Sequence, residues 1–280
     1  MNFTDFINSE SRNIWYNKTP KHVQESIVKM HRFAAFKNIG FKDISDVTAL
    51  DIHQFCVSLR DDDKLSDNTI NHYKAAISTC LKYAFDLELI DKLPKIKFER
   101  VNTSRVRYLS EEEVVQLDAF LAEYGNGKYW WMRHMCTIAV NTGMRLGEIL
   151  SITPDMVDVS TDQCCVHLKK TKNGDDRDVI CAGKTFAALM ALEFEPNKHF
   201  IRISFYRTWA KARDNIAPRD EEFVFHTLRH TAATRMVNDL KLPTVAVAQQ
   251  LGHRDLATTS KYVHRTPQMA DEIARRMGAK

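Results

Sequence analysis

At 280 residues, 44% of them apolar and 27% charged, the chain has core-forming material for two domains of ordinary size and is too apolar to be a disordered segment. No run approaches the roughly 18 consecutive apolar residues of a membrane span, so no membrane partner is expected. Forty Lys and Arg against 36 Asp and Glu leave a net charge of +4, too slight by itself to argue for nucleic acid.

The start, Met1-Asn2-Phe3-Thr4-Asp5, lacks the basic-then-apolar order of a secretory signal, which leads us to expect a cytoplasmic protein. Helix-compatible stretches dominate the first hundred residues, where Gly40 is the lone glycine. Val23, Ile27, Met30 and Phe33 repeat at helical spacing, Thr48 to Leu59 reads as a shorter helix, and Asp67-Asn68-Thr69 opens a pattern through Ile70, Tyr73, Ala76, Leu81, Ala84 and Phe85. About four helices make an all-α unit over 1–97. Pro94 and the basic, aperiodic stretch that follows predict a linker over 98–109. Ser110-Glu111-Glu112-Glu113 is a capping box and opens a second domain.

In that domain a hydrophobic helix (Met135 to Val140) breaks at Gly143, and a second helix begins near Arg145. The one clear β signal is Cys164 to Leu168, a polar tip containing Asn173-Gly174, then Arg177 to Ile180, which predicts a hairpin. Helices resume at Lys184–Leu192, Ser204–Ile216, Leu228–Asn238, Thr244–Leu251 and around Thr259–Val263. The fold class expected is therefore mainly α with a small antiparallel β-sheet or hairpin. The six cysteines (Cys56, Cys80, Cys136, Cys164, Cys165, Cys181) include no C-x-x-C pair and read as reduced structural thiols.

Three segments are dense in chemistry. In Thr142-Gly143-Met144-Arg145-Leu146-Gly147-Glu148 an Arg points from a helix start, where it can meet an anion, and Glu148 can brace the guanidinium; an internal Arg–Glu pair is the plainer reading. In His226-Thr227-Leu228-Arg229-His230 an imidazole and a guanidinium share a helix face, a combination suited to proton transfer and charge stabilisation at a phosphate. His226 and His230 also have the i, i+4 spacing of paired metal ligands, but a neighbouring Arg would repel a cation and no Glu base lies between them. In the third, Gly252 ends a helix and leaves His253 at its C-terminus, and Tyr262 follows nine residues later.

Together these segments resemble the T-G-x-R-x-x-E, H-x-L-R-H and L-G-H…Tyr boxes of the tyrosine recombinase (phage integrase) family, over Ser110 to His264. The resemblance implies a two-domain DNA clamp: a helical core-binding (SAM-like) domain at 1–97 and a catalytic domain at 110–267. Tyr262 is then the nucleophile that forms a 3′-phosphotyrosine. Arg145 and Arg229 hold the non-bridging oxygens, His253 gives a further hydrogen bond, and His226 assists proton transfer with Tyr262. The family's hairpin lysine, the general acid, is best matched by Lys172, with Lys170 its rival.

The physics agrees with these roles. Paired guanidiniums suit a phosphodiester transition state, a phenol of pKa about 10 needs a base or cationic surroundings, and the covalent intermediate conserves the bond energy, so neither metal nor cofactor is required. Thr227 stands where the family often has a small or acidic residue. The arm-type domain of lambda-like integrases is expected to be absent, and the modest net charge implies salt-dependent binding.

The amphipathic 268–280 tail is expected to dock in trans within a homotetramer on double-stranded DNA recombination sites, with a possible directionality factor as accessory partner. Phage or mobile-element integration or excision is the role expected. A Xer-like resolvase of chromosome or plasmid dimers, a type IB topoisomerase, a catalytically inactive DNA-binding regulator and a zinc-dependent hydrolase on His226, His230 and His253 are the alternatives.

Overall fold

The computed structural model describes residues 1–101, 107–124, 127, 129–169 and 176–262. The chain divides into two compact units, Met1–Thr103 and Ser104–Lys280.

The first unit is helical. α1 (Phe3–Ile14) is capped by Asn2, whose side chain accepts from the Asp5 amide. α2 (Pro20–Ala35) has Pro at its first position behind a Thr19 cap, where the missing amide hydrogen costs nothing. α3 (Ala49–Asp61) opens on a reciprocal Thr48–Asp51 capping box, and α4 (Asp67–Asp86) on Ser66. Their inward faces meet in a core of Phe3, Phe6, Phe33, Phe55, Leu59, Ile70 and Ile77, where Phe3 and Phe33 pack edge-to-face at 5.4 Å. Each such side chain contributes roughly 1.5–3 kcal/mol by leaving water. The pattern reading passes over α1, whose apolar Phe3, Phe6, Ile7 and Ile14 are diluted by polar neighbours. The chain at 97–99 is strapped to α4: the buried Lys74 donates to the Lys97 carbonyl at 2.6 Å and to Glu99 at 2.8 Å, and Asn71 and Glu99 exchange two hydrogen bonds.

The second unit is helical around a small sheet. α5 (Glu111–Tyr124) starts at the expected Ser110–Glu113 capping box, with both reciprocal bonds formed. α6 (Trp130–Thr142) packs against α5, and the short α7 (Leu146–Leu150) follows Gly143. Next come β1 (Val157–Val159), β2 (Gln163–Leu168) and β3 (Arg177–Ala182), an antiparallel sheet in the order β1-β2-β3. The hairpin pairs Leu168 with Arg177 and Cys164 with Cys181. β1 is the strand that periodicity does not find, since three residues are too few to show alternation. The helices α8 (Gly183–Ala191), α9 (Pro196–His199), α10 (Arg202–Ile216), α11 (His226–Thr234), α12 (Thr244–Leu251) and α13 (Leu256–Ser260) complete the unit, with one π-helical turn at Arg235–Asp239 extending α11.

Trp131, Met132, Met135, Ile138, Val166, Val179, Leu189, Phe205, Phe223 and Leu228 lie in its core. All six cysteines are unbridged. Among the described residues no helix is long and apolar enough to cross a membrane.

Candidate active site

Two left-handed glycines bring the three polar segments together. Gly143 (φ 70°) caps α6 and Gly252 (φ 66°) caps α12, so each helix stops abruptly and its next residues turn toward α11. The space at both is filled. A Cβ on Gly143 would come within 2.3 Å of a Leu251 methyl, and one on Gly252 within 2.7 Å of Arg177 Nη1.

Arg229, only 2% exposed, projects from α11 between those two helix ends. Its Nη1 donates to the Gly143 carbonyl and its Nη2 to the Leu251 carbonyl, each at 2.6 Å. Helix C-termini carry partial negative charge, so a buried guanidinium is tolerated there. Burial, reinforced by Arg145, brings it down to about 10, which leaves it cationic at neutral pH.

Arg145 precedes α7, and Glu148 receives its backbone amide at 2.8 Å and its Nη1 at 2.6 Å. The other side of the same carboxylate is taken by Arg177, at the foot of β3, at 2.8 and 3.2 Å. Arg177 also donates its Nε to the Gln250 carbonyl at 3.0 Å. Burial would raise the Glu148 carboxyl, but hydrogen bonds from Arg177 and from the Arg145 backbone, with their charges, hold it near 2. The brace on Arg145 is the one the sequence suggests. The second clamp, Arg177, is not among the residues it singled out.

Tyr262 is 4% exposed, and its carbonyl is held by Asn238 at 2.9 Å. Its ring lies nearly parallel to that of His253, at 11° and 6.4 Å between centroids. His253 Nδ1 meets the buried Thr259 hydroxyl at 2.8 Å.

The phenol has a neighbour to which the sequence reading gave no role: His230, with Nδ1 2.7 Å from Oη. His226 stands one helical turn earlier, its ring edge-on to His230 at 4.7 Å. Burial, then neighbouring cations, push both His230 and His253 down to about 4, so both are neutral at pH 7. Burial pushes the Tyr262 phenol up, while Arg229 and Arg145 oppose it.

Arg145, His226, Arg229, His230, His253 and Tyr262, with Arg254, Asp255 and Thr258, line one open cavity of about 440 Å³. Five of the six expected site residues are thereby brought together. Lys172, the sixth, and its rival Lys170 lie outside the described residues. The cavity is small, polar and cationic, and suits a phosphodiester better than an apolar ligand.

The ligand atoms of His226, His230 and His253 do not gather as a set that could hold a metal ion. Among the described residues, the group whose ligand atoms do gather, within 4.8 Å of one another, is Cys165, His167 and Asp178 on the outer face of the sheet. There His167 already bonds Asp178 at 2.7 Å and Asp158 at 2.9 Å. Hydrogen bonds to Asp158 and then Asp178 raise the imidazole above its ordinary value, and both ring nitrogens are already taken by carboxylates.

The sequence model described as the phage integrase family matches residues 107–269, and that of the phage integrase SAM-like domain matches residues 2–99. Similar curated proteins include the shufflon-specific DNA recombinase of Escherichia coli, 24% identical over 238 residues. That match covers 81% of this chain but only 60% of the relative, so the chain spans less than two thirds of that protein's length. The integrase of Staphylococcus phage L54a is 24% identical over 257 residues, covering 74% of this chain and 72% of the other. Among solved structures, the Tn1549 transposon integrase in complex with a circular intermediate DNA superposes with a TM-score of 0.78 at 17% identity, covering 99% of both chains. At that identity the likeness establishes the fold.

Proposed function

This chain belongs to the phage integrase family of tyrosine recombinases, and from that premise we propose that it is a site-specific DNA recombinase acting on double-stranded recombination sites. The observation that supports this reading most is the convergence of Tyr262 with two fixed guanidiniums and His253 around one cavity.

In the proposed reaction the Tyr262 hydroxyl oxygen attacks a backbone phosphorus. The bond to the 5′-oxygen breaks, and a 3′-phosphotyrosine and a free 5′-hydroxyl remain. Arg145 and Arg229 neutralise the non-bridging oxygens, on which negative charge accumulates. Their positions are set beforehand by Glu148 and by two helix-terminal carbonyls, so little reorganisation accompanies the reaction. His253, neutral and pinned through Nδ1, offers its other ring nitrogen to the same phosphate. Lys172 supplies the proton to the leaving 5′-oxygen, with Lys170 as the alternative. His226 keeps a part in proton handling, one ring removed from the phenol. Attack by an incoming 5′-hydroxyl reverses the step on a new partner and passes through a Holliday junction.

The architecture proposed is a helical DNA-binding domain at 1–97, a linker at 98–109 and a catalytic domain at 110–267, which together clamp the duplex. Four copies assemble on two sites, each sending residues 268–280 to a neighbour. An open groove of about 800 Å³ between α5, α6 and α8, lined by Val114, Leu121, Val140 and Ala188, is a suitable receptor. The role proposed is integration or excision of a phage or other mobile element in the cytoplasm, as the name of the L54a integrase suggests, with a directionality factor as accessory partner.

A covalent-adduct assay in EDTA tests the chemistry. Wild-type protein is expected to form an SDS-stable adduct with DNA flanking its gene, and Tyr262→Phe none. An adduct persisting in Tyr262→Phe would sink the assignment of the nucleophile.

A further inference from the structure

We propose that His230 is the group that receives the phenolic proton of Tyr262 as the phosphotyrosine bond forms. The inference rests on the reading of Tyr262 as nucleophile and adds a residue for which the motif correspondence supplies no role.

The geometry is direct. His230 Nδ1 lies 2.7 Å from the Tyr262 oxygen, within hydrogen-bond reach and in line with what a general base requires. Tyr262 is 4% exposed, so bulk water is poorly placed to take the proton. Burial also raises the phenol, so at neutral pH it is protonated and a weak nucleophile until the proton leaves.

The imidazole is in the form a base needs. Burial and the facing groups keep it neutral: His226 and Arg229 from α11, and His253 from the turn after α12. Arg145, Arg254 and Asp255 line the same cavity. A neutral ring protonated on Nε2 presents its Nδ1 lone pair to the phenol, which donates to it. Such a ring is a weak base while the cavity is empty of anions, because an imidazolium would join two arginines. A phosphodiester seated on Arg145 and Arg229 cancels part of that field, and the base strengthens when the substrate arrives.

The step balances. The phenolic oxygen bonds to phosphorus, the phosphorus–5′-oxygen bond breaks, the phenolic proton moves to His230 Nδ1, and the 5′-oxygen takes a proton from the general acid. On rejoining, the imidazolium returns its proton to the tyrosine oxygen as the phosphotyrosine bond breaks.

The test is single-turnover cleavage of a nicked suicide DNA substrate by His230→Gln, whose amide can hold the hydroxyl but cannot take its proton. Cleavage is expected to slow by about 10²-fold or more, with site-specific DNA binding intact. Replacing Tyr262 with a fluorotyrosine of more acidic phenol is expected to restore at least about tenfold of the His230→Gln rate, because such a phenol ionises without help.

A His230→Gln protein that cleaves at the wild-type rate, or a loss that the fluorotyrosine leaves unchanged, overturns the proposal. Should His230→Gln not bind DNA, the fluorotyrosine series in the otherwise unaltered protein decides. With a base in place the rate changes little as the phenol becomes more acidic, whereas a steep rise overturns it. Adduct formation by Tyr262→Phe would instead defeat the parent reading, and the two failures are distinguishable.

Discussion

Glu148 sits between two guanidiniums that come from distant parts of the chain, Arg145 three residues before it and Arg177 at the foot of β3. Its carboxylate is 8% exposed, and taking charge into so dry a place is favourable only because both of its oxygens are bonded. The folded value near 2 lies below the ordinary glutamate value of about 4.3. A depressed carboxyl stabilises the fold fully above its unfolded value, and that contribution disappears as pH falls through the folded one. Roughly two units of depression correspond to about 3 kcal/mol. Glu148→Gln is therefore expected to lose about 3 kcal/mol at pH 7, with the difference from wild type shrinking between pH about 4 and about 2. Urea unfolding across that range measures it, and parallel losses at every pH would contradict the assignment. The same variant releases Arg145, so slower cleavage should accompany the lost stability.

At the scale of elements, the two helix-ending glycines decide where the site residues arrive. Gly252 needs its left-handed conformation, and its missing Cβ leaves room for Arg177, which is too enclosed to swing away. Gly252→Ala should cost about 1–2 kcal/mol through strain and also loosen the clamp on Glu148. Gly147, in α7, meets nothing within 4 Å and has no positive φ, so Gly147→Ala should be neutral or slightly stabilising. Thermal unfolding of the pair tests this, and equal losses would show that crowding at Arg177 is not the cause.

The main helices, the Ser110 capping box, both glycine caps and the hairpin arms were legible because each rests on contacts within a few residues. α1, β1 and α9 were not, since short or diluted patterns give no period. The identity of the histidine at the phenol was not legible either. His226 and His230 share one face of α11, and the choice depends on where the chain at 262 docks, a contact made across 32 residues. Arg177 did leave a signal: it alternates with Val179 and Cys181 on the buried face of β3, where an arginine requires a partner.

For the molecule as a whole, net charge was the least informative quantity. A total of +4 conceals a cavity in which Arg145, Arg229 and Arg254 stand against Asp255, and local charge of this kind is what a phosphate meets. Under the proposed recombinase reading, assembly poses a separate problem, because one protomer would complete only one cleavage and strand exchange would require several in register. In sequence, Met269, Ile273 and Met277 repeat at four-residue spacing among charged neighbours, which is the signature of a helix that needs an apolar partner. In the proposed assembly this segment occupies the groove between α5, α6 and α8, whose lining carries charge of both signs, Arg133 paired with Asp118 and Glu111 with Arg235.

Deleting residues 268–280 should therefore leave the affinity for a single half-site within about twofold while removing cooperative occupancy of paired sites. Cooperative coupling typically amounts to about 1–3 kcal/mol, or 5- to 150-fold. A gel-shift titration on one-site and two-site DNA separates the two effects. Loss of binding to a single site would mean that the tail supports its own domain, and unchanged synapsis would mean that the protomers meet through another surface.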